Sequence, residues 1–562
     1  MNSGNFTFLG SANWQLAGQS LTRQAELWLR ESLFEVTVPF GQWRSLLIEH
    51  DSQLRQADPE FCIFCERFED FLPSAFSGFD ETMGPAIEDA FAAYLKMLTT
   101  AREHLSGVFF IFDLAPARAL SHLLCDTVWS TGEQGVHALV QRLNRQLADW
   151  CASQADCYLL PLSQCLGWFG AEFARPLKYW QVGRFPYSPE FVDALCELVI
   201  GAIMVLRGKT SRVLVLDLDN TLWGGVIGDD GIAGIELGDD YPGNSYVAIQ
   251  HAARSLRAHG VVLALCSKNS EMIAEQAIRE HPSMVLREDD FVTRRINWQD
   301  KPTNLRDLAA EIGVGLGSLC LIDDSPYERE AVRQTLPEVI VPELPSDPAE
   351  WPDFIVRLPC FAMFSLTQED RERASYYAAR TRSLQSEALY TSQEDYRRSL
   401  GMQLGIHALD EGNRRRILQL IAKTNQFNTT TRRYTQQDIA SMQAAGAEVF
   451  AISLADRFSA REIIGVLILI PQDRQILEID SFILSCRVLG RGMETGVLAW
   501  VSDHARRCGY SKLVGVFIPT DRNQPAADLY PSQGFTPLSE GGFALDIGES
   551  CLTMPDWFEV IQ

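Results

Sequence analysis

The sequence is poor in the features that would place it at a membrane, outside the cell or on nucleic acid. Its 562 residues carry 49 Lys+Arg against 73 Asp+Glu, a formal net charge of −24 with pI ≈ 4.8. So acidic a chain lacks the basic surface needed to grip a nucleic-acid backbone. Its longest apolar stretch, Leu195 to Leu206, is broken by Glu197 and falls short of the roughly 20 residues that span a bilayer. No basic segment followed by an apolar core opens the chain, so no signal peptide is expected there. The 13 cysteines are odd in number and scattered, which suits reduced thiols and a cytoplasmic setting better than a disulfide framework. No HxH or HExxH spacing occurs among the nine histidines, and the single CxxC (Cys62, Cys65) sits in an apolar run. A zinc site is therefore not expected. Internal repeats and low-complexity tracts are also missing.

What is present is the makeup of a multidomain α/β protein: 46% hydrophobic and 22% charged residues over a length suited to about three domains. Residues 1–207 alternate short apolar runs (FTFLG, LFEVTVPF, EFCIFCERF, GVFFIFDL, CYLLPL) with helical patterns, predicting a mainly parallel sheet. Residues 208–362 form a second α/β unit with strands at RVLVL, VVLALCS, SMVLR, SLCLIDD and EVIVPEL. Residues 363–400 are charged, nearly Gly-free and helical in pattern, predicting a helical linker. Residues 401–562 form a third unit, with strands near EVFAISLADRF, IIGVLILI, ILEIDSFILS and KLVGVFIP.

The second unit carries the chemistry. DLDNT places Asp217, Asp219 and Thr221 directly after an apolar strand. Ligands in open α/β sheets bind beyond the carboxyl ends of the strands. Two carboxylates so placed can hold a hard cation, or one can attack phosphorus while the other moves a proton. Three further pieces follow in order: Ser267 at the end of LALCS, Lys301 in NWQDKPTNL, and Asp323 and Asp324 at the end of SLCLIDD. A hydroxyl and an ammonium bind phosphate oxygens, and the last carboxylates complete a Mg²⁺ site. Only 45 residues separate Thr221 from Ser267, and 33 separate Ser267 from Lys301, too few for a large cap domain. An active site without a lid favours a bulky, carrier-borne or protein-bound substrate that shields it.

This constellation resembles the haloacid dehalogenase-like (HAD) superfamily. The resemblance implies Asp217 as nucleophile, Asp219 as general acid/base, and Thr221, Ser267 and Lys301 around the phosphoryl group. It implies Mg²⁺ on Asp217, on Asp219 through its backbone carbonyl, and on Asp323 or Asp324. DLDNTLWGGVIGDDG, ALCSKN, RINWQDK and IDDSPYERE, with TNQFNTTTRRY and SFILSCRVLGRGMET in the third unit, resemble a narrower group, the FkbH-like proteins of polyketide assembly lines. That resemblance covers about Ser211 to Phe535 and implies a phosphatase/glyceryltransferase. Such proteins move the glyceryl unit of 1,3-bisphosphoglycerate to the phosphopantetheine thiol of an acyl carrier protein, with loss of both phosphates. It also implies an acyl-cysteine intermediate, with Cys486 and Cys266 as candidates. Strand alternation points Cys266 away from Ser267, which favours Cys486.

RVLGRG (Arg487 to Gly492) after a strand, and NQPAADLYPSQGF from Asn523, together resemble the GCN5-related N-acetyltransferase (GNAT) fold. The resemblance implies pantetheine binding by Arg487, Gly490, Gly492 and Asn523. The clusters Arg414–Arg415–Arg416 and Arg432–Arg433 are candidate docking points for an acidic carrier protein. FLGSAN, with Ser11, resembles an SGNH-hydrolase-like domain, but no D-x-x-H follows to supply a base, so a structural or docking role is expected. The fold class that results is α/β and multidomain: an SGNH-like domain, a capless HAD Rossmann-like domain and a GNAT-like α+β domain. The alternative functions are a phosphomonoesterase of another substrate and a CoA-dependent N-acyltransferase with a vestigial phosphatase domain.

Overall fold

A computed structural model describes residues 3–39, 41–72, 83–116, 135–366, 377, 393–424, 427–457, 459–485, 488, 491–520, 523–538, 542–548 and 552–561. The chain divides into two compact units, Met1–Ala374 and Ser375–Gln562. The break falls inside the segment read as a linker. Of that segment, Gln393–Ser399 is helical as expected, and 367–376 and 378–392 lie outside the described residues.

The first unit holds two parallel sheets. One contains β1 (Ser3–Leu9), β2 (Ser32–Glu35), β3 (Phe61–Phe64), β4 (Val108–Phe112) and β5 (Cys157–Leu160), in the order β2-β1-β3-β4-β5. The other contains β6 (Val213–Leu216), β7 (Val262–Ser267), β8 (Phe291–Ile296) and β9 (Leu319–Ile322), in the order β8-β7-β6-β9. β3, β6, β7 and β9 are buried at every position, as strands covered on both faces must be. A single buried apolar cluster runs through both sheets, from Phe6 and Phe8 through Val199 and Ile200 to Leu216 and Phe361. The helix Pro189–Leu206 belongs to it. Gly201 of that helix faces Pro359 and Ala362 so closely that a Cβ would lie 2.9 Å from the Ala362 side chain. The two sheets are thus joined by packed core.

Two expected strands are displaced. SMVLR is not a strand; the fourth strand of the second sheet is FVTRRI, a few residues later. Its alternating burial carries Phe291, Thr293 and Ile296 inward and leaves Arg294 half-buried, so its apolar signal is weak. EVIVPEL contributes one bridge, Cys320 to Ile340, and no strand.

The second unit is built on a mixed sheet: β10 (Met402–Ala408), β11 (Phe427–Asn428), β12 (Glu448–Asp456), β13 (Ser459–Pro471), β14 (Ile476–Leu484), β15 (Lys512–Gly515), β16 (Thr536–Pro537), β17 (Phe543–Asp546) and β18 (Phe558–Ile561). The order is β16-β17-β15-β14-β13-β12-β10-β18, with β11 beside β14. β10 to β14 are antiparallel neighbours, whereas β14 and β15 are parallel. The helix Met493–Arg507 packs Val497, Leu498 and Val501 on one face, and Ile417, Leu420 and Ile439 of two other helices cover the opposite one. The multidomain α/β fold class is therefore as expected. Among the described residues no helix is long and apolar enough to cross a membrane.

Candidate active site

Register assembles the site. β6 and β9 pair in parallel from Val213↔Leu319 to Leu216↔Ile322, so the next residues, Asp217 and Asp323, leave the sheet side by side. The Asp217 N–H donates to the Ile322 carbonyl at 3.1 Å. Ser267 is the last residue of β7, and its partner Ile296 ends β8, five residues before Lys301. Asp300 caps the helix Lys301–Ile312, its carboxylate accepting from the Thr303 N–H at 2.9 Å. That cap and Pro302 in the first turn start the helix here and aim Lys301 back at the sheet.

Lys301 is 2% exposed and bridges two carboxylates, Asp217 at 2.9 Å and Asp323. Burial opposes its charge, but Asp217 and Asp323 outweigh that and hold its pKa above the ordinary lysine range. Asp217, Asp323 and Asp324 each offer an oxygen within 4.8 Å of the others. Burial, then the Asp217 charge, pushes both Asp323 and Asp324 up to about 6. The Oδ1 of Asp217 is buried with no hydrogen-bond partner, an expensive state for a carboxylate unless something binds it. Three crowded carboxylates and an orphaned oxygen fit a hard divalent cation, which takes oxygen ligands and removes the mutual repulsion.

Asp219 stands apart from this cluster. Its Oδ1 accepts from Trp223 Nε1 (2.9 Å) and the Ile227 N–H (3.1 Å), and its Oδ2 from Asn269 Nδ2 (2.9 Å). Burial raises its pKa. Two carboxylates two residues apart thus have separate surroundings: one against an ammonium and two acids, the other among neutral donors. Thr221 is fully buried, and its hydroxyl accepts from the Asp324 N–H at 3.3 Å, tying two site loops together. Between Thr221 and Ser267 the chain forms a four-residue helical turn, the Gly224–Glu236 bridge, the helix Gly243–Ala258 and β7; no cap domain intervenes.

Residue-by-residue reading of the sequence left three contributors without roles. Trp223 and Asn269 orient Asp219. Arg329, 4% exposed, donates to the carbonyls of Asp323 (2.9 Å) and Asp324 (2.8 Å) and locks the acidic turn. Trp223 and Asn269 stand within the motifs LWGG and CSKN, but nothing in their spacing announces a hydrogen bond to Asp219.

Cys266 is fully buried in β7, which extends to Ser267, so alternation turns the thiol from the serine as expected. Burial pushes that thiol up to about 12, which leaves no nucleophilic thiolate at neutral pH. Cys486, Arg487 and Gly490 lie outside the described residues. Gly492 precedes the helix Met493–Arg507 at φ +75°, a left-handed conformation that glycine adopts without strain. Asn523, the other described candidate, sits inside its unit. It is fully buried, and its amide donates to the carbonyls of Asn428 and Ile518 (both 2.9 Å) and accepts from the Thr520 N–H (2.7 Å). It braces loops of its own unit. The Asn428 that it holds belongs to β11, which pairs with β14 near Ile483 and Leu484, where β14 has already parted from β15. Thr429 continues the bridge, accepting from the Ile518 N–H at 2.8 Å.

The arginine clusters, the candidate docking points, have partners within their own unit. Arg432 pairs with Asp480, Arg433 donates to the Ile421 and Thr424 carbonyls, Arg414 pairs with Glu411 and Arg416 with Glu462. In the first sheet, the Ser11 N–H donates to Glu66 (3.0 Å), a carboxylate that also accepts from Trp43 and Arg44.

No protein-family model matches the chain, and no curated protein matches it. Among solved structures, the chain is similar to the N-terminal part of the protein BF1531 from Bacteroides fragilis, which contains a phosphatase domain and was crystallised with Mg. The identity is 23% and the TM-score 0.53, over 64% of this chain and 94% of that one. That likeness shows a shared fold. Shorter overlaps occur with a GNAT family acetyltransferase from Elizabethkingia anophelis bound to acetyl-CoA (20% identity, TM-score 0.19, 24% of this chain and 78% of that one). Another is with the spermidine/spermine N-acetyltransferase SpeG from Vibrio cholerae (17%, TM-score 0.21, 26% and 95%).

Proposed function

We propose that the chain is a Mg²⁺-dependent phosphatase/glyceryltransferase of the FkbH-like kind. It would load a glyceryl unit from 1,3-bisphosphoglycerate onto the phosphopantetheine thiol of an acyl carrier protein in polyketide-type biosynthesis. The observation that carries the reading is the division of labour between Asp217 and Asp219. Asp217 has one oxygen on Lys301 and one free, the state of a carboxylate ready to attack. Asp219, its pKa raised by burial and its orientation set by Trp223 and Asn269, suits proton transfer.

In the phosphatase half, the free oxygen of Asp217 forms a bond to phosphorus as the ester P–O bond breaks. Asp219 gives its proton to the leaving alkoxide. Water then attacks the aspartyl-phosphate, with Asp219 taking the proton back, and releases phosphate. Lys301 and Ser267 hold the equatorial oxygens. Asp217, Asp323 and Asp324 would hold Mg²⁺, which offsets charge on the transferring phosphoryl group. In the acyl half, a thiolate attacks the acyl carbon of the mixed anhydride, the acyl C–O bond breaks and inorganic phosphate leaves, giving a thioester. Cys486 is the candidate for a relay before the carrier thiol, since the thiol of Cys266 is unavailable. The absence of a cap suits a substrate delivered on a carrier.

Intact-protein mass spectrometry tests the reading, with enzyme, Mg²⁺, enzymatically generated 1,3-bisphosphoglycerate and a holo acyl carrier protein encoded beside the enzyme. A glyceryl mass gain on the carrier, replaced by a phosphoglyceryl gain with Asp217→Asn, is expected. Phosphate release with no carrier adduct would sink the transferase and leave a phosphomonoesterase. Acetyl transfer from acetyl-CoA that survives Asp217→Asn would favour an N-acyltransferase.

A further inference from the structure

We propose that a cavity at the carboxyl ends of β1 and β2, remote in sequence from the phosphatase motifs, is a second binding site, for a small neutral polyhydroxylated molecule. The cavity measures about 400 Å³ and is lined by Gly10, Asn13, Trp14, Gln19, Glu35 and Thr37. It lies where an open parallel sheet presents ligands, beyond its strands' carboxyl ends. Gly10 directly follows β1, and a Cβ there would lie 2.8 Å from Trp14 Nε1 and 2.6 Å from the Cys65 carbonyl. Glu35 ends β2. Its carboxylate lies against Gly18 of the helix Gln15–Gln24, where a Cβ would lie 2.0 Å away. The two glycines thus let the Trp14 indole and the Glu35 carboxylate come in close at this corner of the sheet.

Two polar groups in the wall want partners. Trp14 is 6% exposed, its ring stacked on Phe8, and its indole N–H makes no hydrogen bond. A buried donor left so is costly. Glu35 is half-buried, and among the described residues its carboxylate takes part in no hydrogen bond or ion pair; burial alone raises its pKa. The class of ligand follows from what satisfies both. No Lys or Arg lines the cavity, so a phosphate or carboxylate meets no counter-charge. That separates this site from the phosphorylated substrate proposed for the Asp217 site. An ammonium donates to Glu35 but cannot accept from Trp14. A hydroxyl does both, and neighbouring hydroxyls meet Asn13, Gln19 and Thr37. The Phe8 and Trp14 rings supply apolar surface for the carbon skeleton.

The test uses full-length enzyme carrying ¹⁵N-labelled tryptophan, with the Trp14 indole signal assigned by its loss in Trp14→Phe. Glycerol, myo-inositol, putrescine and inorganic phosphate are titrated separately. A saturable shift of the Trp14 signal with myo-inositol or glycerol alone, weakened about tenfold in Glu35→Gln, is expected. No shift with either polyol overturns the proposal. So does a shift with putrescine or phosphate at lower concentration, or polyol affinity unchanged in Glu35→Gln. Unchanged phosphatase turnover in Glu35→Gln would confirm that the variant is folded and the two sites are separate.

Discussion

Two sets of buried carboxylates, one in each unit, have opposite surroundings. In the second unit, Asp480 in the middle of β14 is 2% exposed and fully answered: Arg432 pairs with one oxygen, and Tyr434 (2.9 Å) and Ser481 (2.8 Å) donate to the other. Asp456, equally buried, is paired with Arg491. In the first unit, Asp217, Asp323 and Asp324 crowd together around one ammonium, and an Asp217 oxygen is left with nothing. A buried acid with its partners supplied holds a structure together. A buried acid with partners withheld stores the cost until a ligand arrives. Burial alone therefore does not separate Asp217 from Asp480; the unanswered oxygen does.

Four experiments would break or sharpen that contrast. The largest effect is expected from Asp217→Asn, which removes the carboxylate proposed to attack phosphorus. Phosphate release should fall by about 10⁴-fold, as for loss of a nucleophile, with the thermal melt retained. Residual activity within tenfold of wild type would show that the free oxygen is not the nucleophile. Asp480→Asn should instead cost the second unit about 2 kcal/mol, because Arg432 and Tyr434 lose their acceptor. Hydrogen exchange around β14 reads that loss, while phosphatase turnover holds; a fall in turnover with no change in exchange would reverse the assignment.

A smaller effect should follow from Asn269→Ala, which frees Asp219 on one side. A fall of about 10–100-fold in kcat is expected, with KM little changed, the pattern for a positioning residue. An equal loss in Asn269→Asp would show that bulk matters more than the donated hydrogen bond. The mildest concerns pH. With Asp323 and Asp324 pushed up to about 6, both are ionised at pH 7.5 and largely protonated at pH 5.5. Mg²⁺ must then displace protons, so its affinity should drop by about tenfold across that window. Affinity that is flat, or rises as pH falls, would remove these two acids from the metal site. Titration calorimetry at the two pH values decides it.

Much of the first unit was legible because its signals are local and redundant. β3, β4 and β5 of the first sheet are apolar runs, and β6, β7 and β9 are buried on both faces, so hydrophobicity alone marks them. β8 was missed because its faces differ: Thr293 pairs with Glu311 and Arg295 reaches the same carboxylate, so polar side chains interrupt the run. The nearby apolar SMVLR drew the assignment instead, although Met284 and Leu286 merely fill the core from a loop. In the second unit, β11 and β16 are two residues long and exist through pairing with distant strands, which no short window can register.

The sequence by itself determined the candidate groups and their order: Asp217 and Asp219 after one strand, Ser267 after the next, Lys301 at a helix start, Asp323 and Asp324 after a last strand. It could do so because strand ends are locally encoded, and a parallel sheet turns separate strand ends into one site. Only the tertiary structure decided what each polar group meets. It left an oxygen of Asp217 unpaired, surrounded Asp219 with neutral donors, buried Cys266, turned Asn523 inward as a brace and paired Arg432 with Asp480. Those outcomes depend on register and on contacts between residues far apart in sequence, as between Thr221 and Asp324, 103 positions apart. A hydrogen bond is decided by tenths of an ångström, a scale that residue type and spacing do not carry.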